Sequence, residues 1–444
     1  MNFARLSRAL LSFLLLLAIP SRVLCAEKHI QSEWTFGVDT QLEEIYFPED
    51  YGQDTNKSLF KLELDPTAKW KYGEHWRFNL RPIFIANPDN KSEREKYYFD
   101  PSETYFKFQK NVLSIQVGFN LVTWGVTDGY NPVDIVNSRQ IFDPLKTKKQ
   151  GALSLIISES LSWFDYDFTY IPKARESILP GEQSRWLPRE VFVPQVPDNN
   201  LVLILPDNLR YTYGSNETLN SALDNNFALR LQKSISIFDF SLSGFDGQAL
   251  YPIIEPQVTG NIIQVSPKTV VQVNPDVVLN TKSYRVQQGG FSLVSHQWDF
   301  LFKYETSYSQ PHGDYVNLPG WIHENVLGLE KTFNFSDGTF IGILQYSFLN
   351  TEKENDSNIS LTEIYRRAWM AGGRISWKEV WTASLLGLYD SVHYSHFEEI
   401  SIGRRLFDTW TLNLTADFIS GSSENPLGLY NKNDSYRLSL SRSF

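Results

Sequence analysis

The chain has 444 residues, and its 41 lysine and arginine residues against 51 aspartate and glutamate residues give a formal net charge of −10. This acidic balance argues against nucleic-acid binding, which requires a basic surface. The single cysteine excludes an internal disulfide framework and a cysteine-based metal site. We predict neither a metal nor a cofactor.

The N-terminus carries the pattern of a secretory signal. Two arginines precede an apolar run at 9–19, which is too short to span a bilayer as a helix. Cleavage is expected after Cys25 or after Ala26, and we assign residues 1–26 to the signal peptide. The mature chain then carries 38 basic and 51 acidic residues, a net charge of −13. The alternative, a lipid anchor on Cys25, is disfavoured by the bulky Leu24 before it.

The mature chain repeats a β-strand pattern. Apolar residues alternate with polar ones, and because strand side chains point to opposite faces in turn, each segment has one apolar and one polar face. The pattern occurs at 59–65, 76–84, 113–121, 163–170, 227–232, 298–305, 410–418 and 436–444. No apolar run approaches 18 residues, so we predict no transmembrane helix. The aromatic content of 14% agrees with aromatic belts at the two interfaces of a membrane barrel.

The connections between these segments alternate in length. Short turns are predicted near 109–111, 158–160, 233–236, 294–297, 334–338, 376–379 and 407–409. Long polar loops are predicted near 42–56, 87–102, 122–150, 172–225, 247–283, 309–321, 350–363 and 420–433. Short turns at one end and long loops at the other are typical of outer-membrane barrels.

These patterns predict an all-β fold, a closed antiparallel transmembrane β-barrel with short periplasmic turns and long extracellular loops. The count of segments gives about 18 strands, with 16 as the alternative. We predict one barrel domain at 27–444 in the outer membrane of a Gram-negative bacterium, in contact with its lipid. A sheet in lipid can have no free edge, because each unpaired backbone group costs several kcal/mol. The first strand, near 34–42, should therefore pair with the last.

The last strand has a recognisable ending. Tyr436, Leu438, Leu440 and Phe444 share one face, and Arg442 interrupts it. A terminal strand that ends on phenylalanine resembles the C-terminal signature of bacterial outer-membrane β-barrels. The resemblance implies that the barrel-assembly machinery binds the strand that ends at Phe444.

The most distinctive motif follows a predicted strand, at 123–137. Glycines permit unusual backbone geometry, and Asn-Pro marks a turn. The motif residues are Trp124, Gly125, Asp128, Gly129, Asn131, Pro132 and Asp134, with Lys146, Lys148 and Lys149 downstream. The pattern resembles a W-G…N-P-x-D signature of uncharacterised porin-like barrels and, more distantly, of the alginate-export type. The resemblance implies a segment folded at or into the barrel mouth. We interpret it as a constriction loop, with a structured surface loop as the alternative.

Charged residues on the polar faces are candidates to line a pore. They are Lys61, Arg77, Arg81, Asp165, Asp167, Arg230, Asp299, Lys303, Glu305 and Asp417, with Asp239 as a further acid. Their mixed signs favour a field across the pore over a filter of one sign. Each could instead form a salt bridge in the lumen.

No catalytic residue is predicted. The chain lacks the G-x-S-x-G, H-E-x-x-H and P-loop motifs. A lipid-acting hydrolase would need a Ser–His pair, and His75 and His296 have no recognisable partner. His393 and His396 are interpreted as surface residues rather than metal ligands.

We therefore predict a porin-like channel that passes small polar solutes or a polymer through a lumen narrowed by the loops 122–150 and 172–225, with 247–283 as a third long loop. The alternatives are a lipid-acting outer-membrane hydrolase, a plugged structural or adhesive barrel, and a secreted soluble β-protein. The permeant molecule and the oligomeric state stay open.

Overall fold

The computed structural model describes residues 32–51, 55–188, 201–204, 206, 208–313, 318–352 and 361–444. The predicted signal peptide, 1–26, lies outside the described residues. Within them, no helix has the length and hydropathy to cross a membrane. The helical elements are short: α1 (Glu93–Lys96) and the 3-10 helices Leu219–Ser221, Leu361–Tyr365 and Gly428–Tyr430.

Strands account for most of the described chain. Numbered in chain order, they are β1 (Ser32–Tyr46), β2 (Ser58–Tyr72), β3 (Trp76–Leu80), β4 (Ile83–Ala86), β5 (Tyr97–Asp100), β6 (Thr104–Lys110), β7 (Leu113–Asn120), β8 (Arg139–Gln140), β9 (Lys148–Lys149), β10 (Ala152–Ser160), β11 (Asp165–Lys173), β12 (Leu201–Ile204), β13 (Arg210–Thr218), β14 (Asp224–Ile235), β15 (Phe238–Gln248), β16 (Ile253–Gln264), β17 (Thr269–Ser283), β18 (Arg285–Gln297), β19 (Phe300–His312), β20 (Ile322–Phe335), β21 (Gly338–Thr351), β22 (Arg367–Trp377), β23 (Trp381–Asp390), β24 (Ser395–Leu406), β25 (Trp410–Ser420) and β26 (Ser435–Ser443).

Twenty of these strands form one antiparallel sheet. β3 and β4 together form one barrel strand that is interrupted at Pro82. β5 and β6 together form the next, which is interrupted at Pro101. Proline has no N–H group for the ladder, which accounts for both breaks. The sheet is therefore an 18-strand barrel, and the predicted fold class is confirmed.

The barrel closes where the sequence predicts it. β1 pairs antiparallel with β26, from Asp39 opposite Ser443 to Tyr46 opposite Tyr436. The Phe444 amide continues the ladder by donating to the Val38 carbonyl at 3.0 Å. The pairing lies farther along the first strand than the predicted 34–42, because β1 extends to Tyr46.

The two faces of the barrel differ as predicted. Leu327, Leu385 and Leu414 point outward and are 50%, 54% and 57% exposed. Glu305 and Gln345 point into the barrel and are 0% and 1% exposed. A closed sheet whose apolar face points outward satisfies its backbone internally and presents hydrocarbon-compatible side chains to lipid.

Turn positions differ from the predicted ones by a few residues. β14 runs to Ile235 and β18 to Gln297, so these two turns lie later than 233–236 and 294–297, whereas the turn after β20, at 336–337, lies within the predicted 334–338. Trp298 and Asp299 form one such turn, with φ of 50° and 62°. Positive φ at both central positions is required by the type I′ turns that connect twisted strands.

The loop predicted at 247–283 is largely a hairpin. β16 and β17 pair antiparallel, and β17 also pairs in parallel with β12 and β13, which lie within the predicted loop 172–225. These four strands form a second sheet at the long-loop end of the barrel. The prediction missed them because each was interpreted as polar connection.

The interior is not uniformly polar. Inward-facing residues of the wall pack with loop residues in two apolar clusters. The first contains Val122, Trp124, Val133, Val136, Ala152, Ile171, Ala228, Phe245, Ala249 and Val286. The second contains Ile364, Met370, Leu388, Phe397, Ile419, Leu427, Leu429 and Tyr430. Loops and wall therefore share two buried apolar clusters inside the barrel, in addition to the charged residues of the polar strand faces.

The closing register can be tested by cross-linking. Gln41 lies opposite Ser441, and antiparallel partners have Cα atoms about 4.5–5.5 Å apart, within disulfide range. Gln41→Cys with Ser441→Cys should therefore oxidise to a cross-link that keeps the barrel folded in hot detergent, as measured by gel mobility. Ile45→Cys with Ser441→Cys is four residues out of register, about 13 Å apart. Equal cross-linking in that control would contradict the register.

Candidate functional site

The segment 121–151 connects β7 to β10 and folds into the barrel; we call it the interior loop. Its base is held by Asn137, whose side chain is 2% exposed. The Asn137 carboxamide accepts the Val122 amide at 2.7 Å and donates to the carbonyls of Asn120 and Gln150 at 2.9 and 2.8 Å. One buried asparagine thus ties both ends of the loop together.

The W-G…N-P-x-D motif forms a single folded unit at the start of this loop. Gly125 has φ of 93°, and a Cβ there would overlap the Asn131 side chain. Asn131 donates to the Trp124 carbonyl at 2.9 Å, and the Trp124 amide donates to Asp134 at 3.3 Å. Glycine is needed at 125 because the asparagine occupies the space of a side chain.

Asp134 also joins the motif to the basic residues downstream. Its carboxylate pairs with Arg139 at 3.1 Å and with Lys149 at 2.6 Å. The Pro132 carbonyl accepts a hydrogen bond from Gln288 of β18 at 3.1 Å. Asp134 therefore combines a hydrogen bond to the motif backbone with ion pairing inside the barrel.

Wall residues of β19 hold the tip of the interior loop. Lys303 contacts both Asp128 carboxylate oxygens, at 3.0 and 2.8 Å, and also pairs with Glu330 at 2.7 Å. Glu305 accepts the amides of Val126 and Thr127. Charge-assisted hydrogen bonds of this kind are stronger than neutral ones, so this tip is fixed on two inward-facing side chains.

Neighbouring strands extend the same attachment. Gln345 of β21 accepts the amides of Asp128 and Gly129 at 3.0 and 3.2 Å. The Tyr130 hydroxyl donates to Glu324 of β20, and its ring stacks on Tyr365 at 4.2 Å. Three adjacent wall strands, β19 to β21, therefore bind residues 126–130.

The other end of the interior loop binds different walls. Lys148 pairs with Glu63 of β2 at 2.6 Å, and Lys146 pairs with Asp417 of β25 at 2.8 Å. β2 and β19 are the second and eleventh of the 18 strands around the barrel. Since they lie nine positions apart in either direction around the barrel, with eight strands between them, the loop is attached to opposite walls.

Most predicted pore residues have ionic partners on the inner wall. The pairs are Lys61–Glu63 at 3.1 Å, Arg81–Glu103 at 3.1 Å, Arg230–Asp167 at 2.7 Å and Arg437–Asp417 at 3.0 Å. Asp165 is the first residue of β11; it lies on the inward-facing side of the strand and is exposed. Asp299 is a correction: it lies in the exposed turn between β18 and β19, not on a strand.

Three further bases join Arg77 on the inner wall, and sequence reasoning missed them. Arg77 of β3 lies between two register partners, Lys71 of β2 and Lys107 of β6. Lys69 is the neighbouring inward-facing residue of β2, two positions before Lys71. We call Lys69, Lys71, Arg77 and Lys107 the basic row. Among the described residues none of the four has an acid within 4.0 Å, although Glu33 is the register partner of Lys71. They lie beside the short turns that follow β2 and β6.

The histidines in the described part of the chain form no recognisable catalytic triad. His323, on the outward face of β20, contacts the Thr306 hydroxyl through Nε2 at 3.1 Å, but no described hydrogen bond reaches its Nδ1. His75 contacts the Gln109 carbonyl at 2.9 Å, and His393 pairs with Asp390 at 2.6 Å. Within the described ranges, no cluster of three metal-ligating side chains occurs.

Comparison with protein-family models and with curated proteins found no match. Among solved structures, the chain is similar to three outer-membrane barrels of Pseudomonas aeruginosa, OccK2 (OpdF), OccK9 (OpdG) and OpdL. The TM-score is 0.50 for each, identities are 7%, 10% and 9%, and the alignments cover 93% of this chain and 98%, 98% and 99% of the others.

At these identities the likeness concerns the fold alone. The barrel fold and its apolar outer surface place the chain in the outer membrane of a Gram-negative bacterium, as predicted. The resemblance of the 123–137 motif to alginate-export barrels stays a prediction. So does recognition of the Phe444 strand by the assembly machinery.

The attachment of the loop tip can be tested by hydrogen exchange. Glu305→Leu removes the acceptor of the Val126 and Thr127 amides. Their exchange should become about tenfold faster or more, since losing a buried partner costs about 1–3 kcal/mol. Asp239→Leu is the control, because the carboxylate of this inward acid of β15 has no hydrogen bond or ion pair among the described contacts. Unchanged exchange in Glu305→Leu would show that the contact does not hold the loop.

Proposed function

We propose that the protein is an outer-membrane channel for small polar solutes or a polymer, and that the interior loop narrows its lumen. One observation carries the proposal: the loop is bound to Lys303 on one wall and to Glu63 on the wall half-way round the barrel. A segment attached on both sides divides the interior cross-section. Solutes then pass beside it rather than through an open ring.

The attachments support a rigid constriction. Lys303 and Glu63 each keep a second partner on the wall, Glu330 and Lys61. Removing the loop's charge therefore leaves no isolated charge on the wall, and the wall does not depend on the loop for its own pairing. Pore width and the groups that line it determine which solutes pass.

The basic row supports a preference for anions. Like charges directly opposite each other destabilise a sheet, and the three facing bases Lys71, Arg77 and Lys107 have no acid within 4.0 Å among the described residues. A mobile anion in the lumen offsets this repulsion. The solute class that fits is a small carboxylate or phosphate, or an acidic polymer.

The proposed narrowing can be tested by planar-bilayer conductance. Asp128→Asn with Lys148→Met removes the ionic contacts of the loop to Lys303 and to Glu63 and leaves its other wall contacts in place, so the loop is held less firmly at both walls and the unitary conductance should rise and fluctuate more. Arg210→Gln with Asp276→Asn is the matched control, because this exposed pair at 2.8 Å lies on the outer four-stranded sheet.

Two outcomes count against different parts of the proposal. Wild-type protein without unit conductance would favour a plugged structural or adhesive barrel and would remove the channel function. Normal conductance that the double variant leaves unchanged would remove only the role of the loop.

The proposed selectivity can be tested by reversal potentials in a salt gradient. Changing Lys71, Arg77 and Lys107 to glutamine should shift the preference from anions toward cations, because the row supplies the positive charge of that wall. Changing Lys331, Lys378 and Arg404 to glutamine is the control, since these bases lie over aromatic rings of outward-facing residues. Equal shifts in both triple variants would contradict a role for the basic row.

A further inference from the structure

The outer wall carries a shallow groove across β15 and β18. Its volume is about 420 Å³. Gly244 and Gly289 form its floor; they are direct register partners, and both point outward. Two adjacent strands therefore lack a side chain at the same level of the lipid-facing surface.

The backbone does not require these glycines. Neither has a positive φ, and a Cβ built on either meets nothing within 4 Å. Glycine within a strand is destabilising relative to alanine. A glycine in a strand often marks the close approach of a ligand or another backbone, and here the space above both glycines is open.

Aromatic and aliphatic side chains wall the groove on both sides. In the row of the two glycines, Leu229 stands on one side and Tyr308 on the other. Tyr308 is held in place by stacking on Trp321, with 6.3 Å between ring centroids and 15° between planes. The lateral walls are thus apolar, and the Tyr308 wall is pre-organised.

Polarity changes along the groove. Toward the short-turn end the next outward residues are Leu242 and Phe291, which are register partners. Toward the long-loop end the next row contains Asp246, Gln287 and Gln310. The Asp246 carboxylate is neutralised by Arg285 at 2.6 Å. The groove therefore has an apolar floor within the hydrocarbon and, toward the interface, a polar rim whose one acid is paired with a base.

We infer that this groove binds one acyl chain of a membrane lipid, with the lipid's polar group at the rim formed by Asp246, Gln287 and Gln310. Hydrocarbon is the solvent of this face, so an acyl chain reaches the groove without a separate association step. Its shape, open floor and graded polarity match a chain that runs from the interface toward the bilayer centre. The inference depends on the membrane location of the barrel and not on channel activity.

Native mass spectrometry of the detergent-purified barrel with added phosphatidylethanolamine tests the inference. The wild type should retain one lipid. Gly244→Leu with Gly289→Leu should bind it at least about tenfold more weakly, because the two side chains fill the space of several methylenes. Gly387→Leu is the matched control, an outward glycine of β23 outside the groove. Gly244→Ala with Gly289→Ala should give a smaller loss and serves if the leucine variant does not fold.

Three results would overturn the inference. The first is a wild type that retains no lipid. The second is equal lipid binding by the wild type and both filled variants. The third is a wild-type oligomer that the filled variants lose, since the groove would then be an interface between copies of this chain. Heat-dependent gel mobility confirms that each variant forms the barrel.

Discussion

The backbone hydrogen bond in lipid is the constraint on which this structure depends. Hydrocarbon offers no partner for an unpaired N–H or C=O group, so the sheet must close on itself. The ladder from Asp39–Ser443 to Tyr46–Tyr436 meets this requirement. Closure gives every strand two faces in different environments. The outer face contacts lipid and is apolar, and the inner face borders an enclosed interior in which charged side chains have partners.

The enclosed interior supplies hydrogen-bonding and ionic partners for the polar groups of the long interior loop. Its amides at 126–129 are bound by two wall side chains, Glu305 and Gln345, rather than left without partners. Burying a charge costs several kcal/mol unless it is paired. Lys303 and Glu63 each have two ionic partners, one on the loop and one on the wall. The loop therefore adds contacts to a wall that is already neutralised.

The sequence predicted the barrel because alternation is a local property that each strand carries on its own. Turn positions were less accurate, since Trp298 and Asp299 continue the alternation of β19 into the turn. The site was predicted only in part. The interior motif could be found from its glycines and Asn-Pro, but the Lys148–Glu63 pair joins residues 85 positions apart. The basic row depends on register across three strands, which no single segment reveals.

The paired and unpaired charges of the interior have different consequences for transport. Wall charges that bind the interior loop, such as Lys303 and Glu63, are each neutralised by their own partners and hold the loop in place. The basic row lies beside the short turns, and among the described residues it has no acid within 4.0 Å, so its field extends into the lumen. We therefore propose that the width and the charge selectivity of the pore depend on different residues at different places on the wall. Because the effects of distant sites with no shared partners add, we expect that substitutions can change one of the two properties and leave the other unchanged.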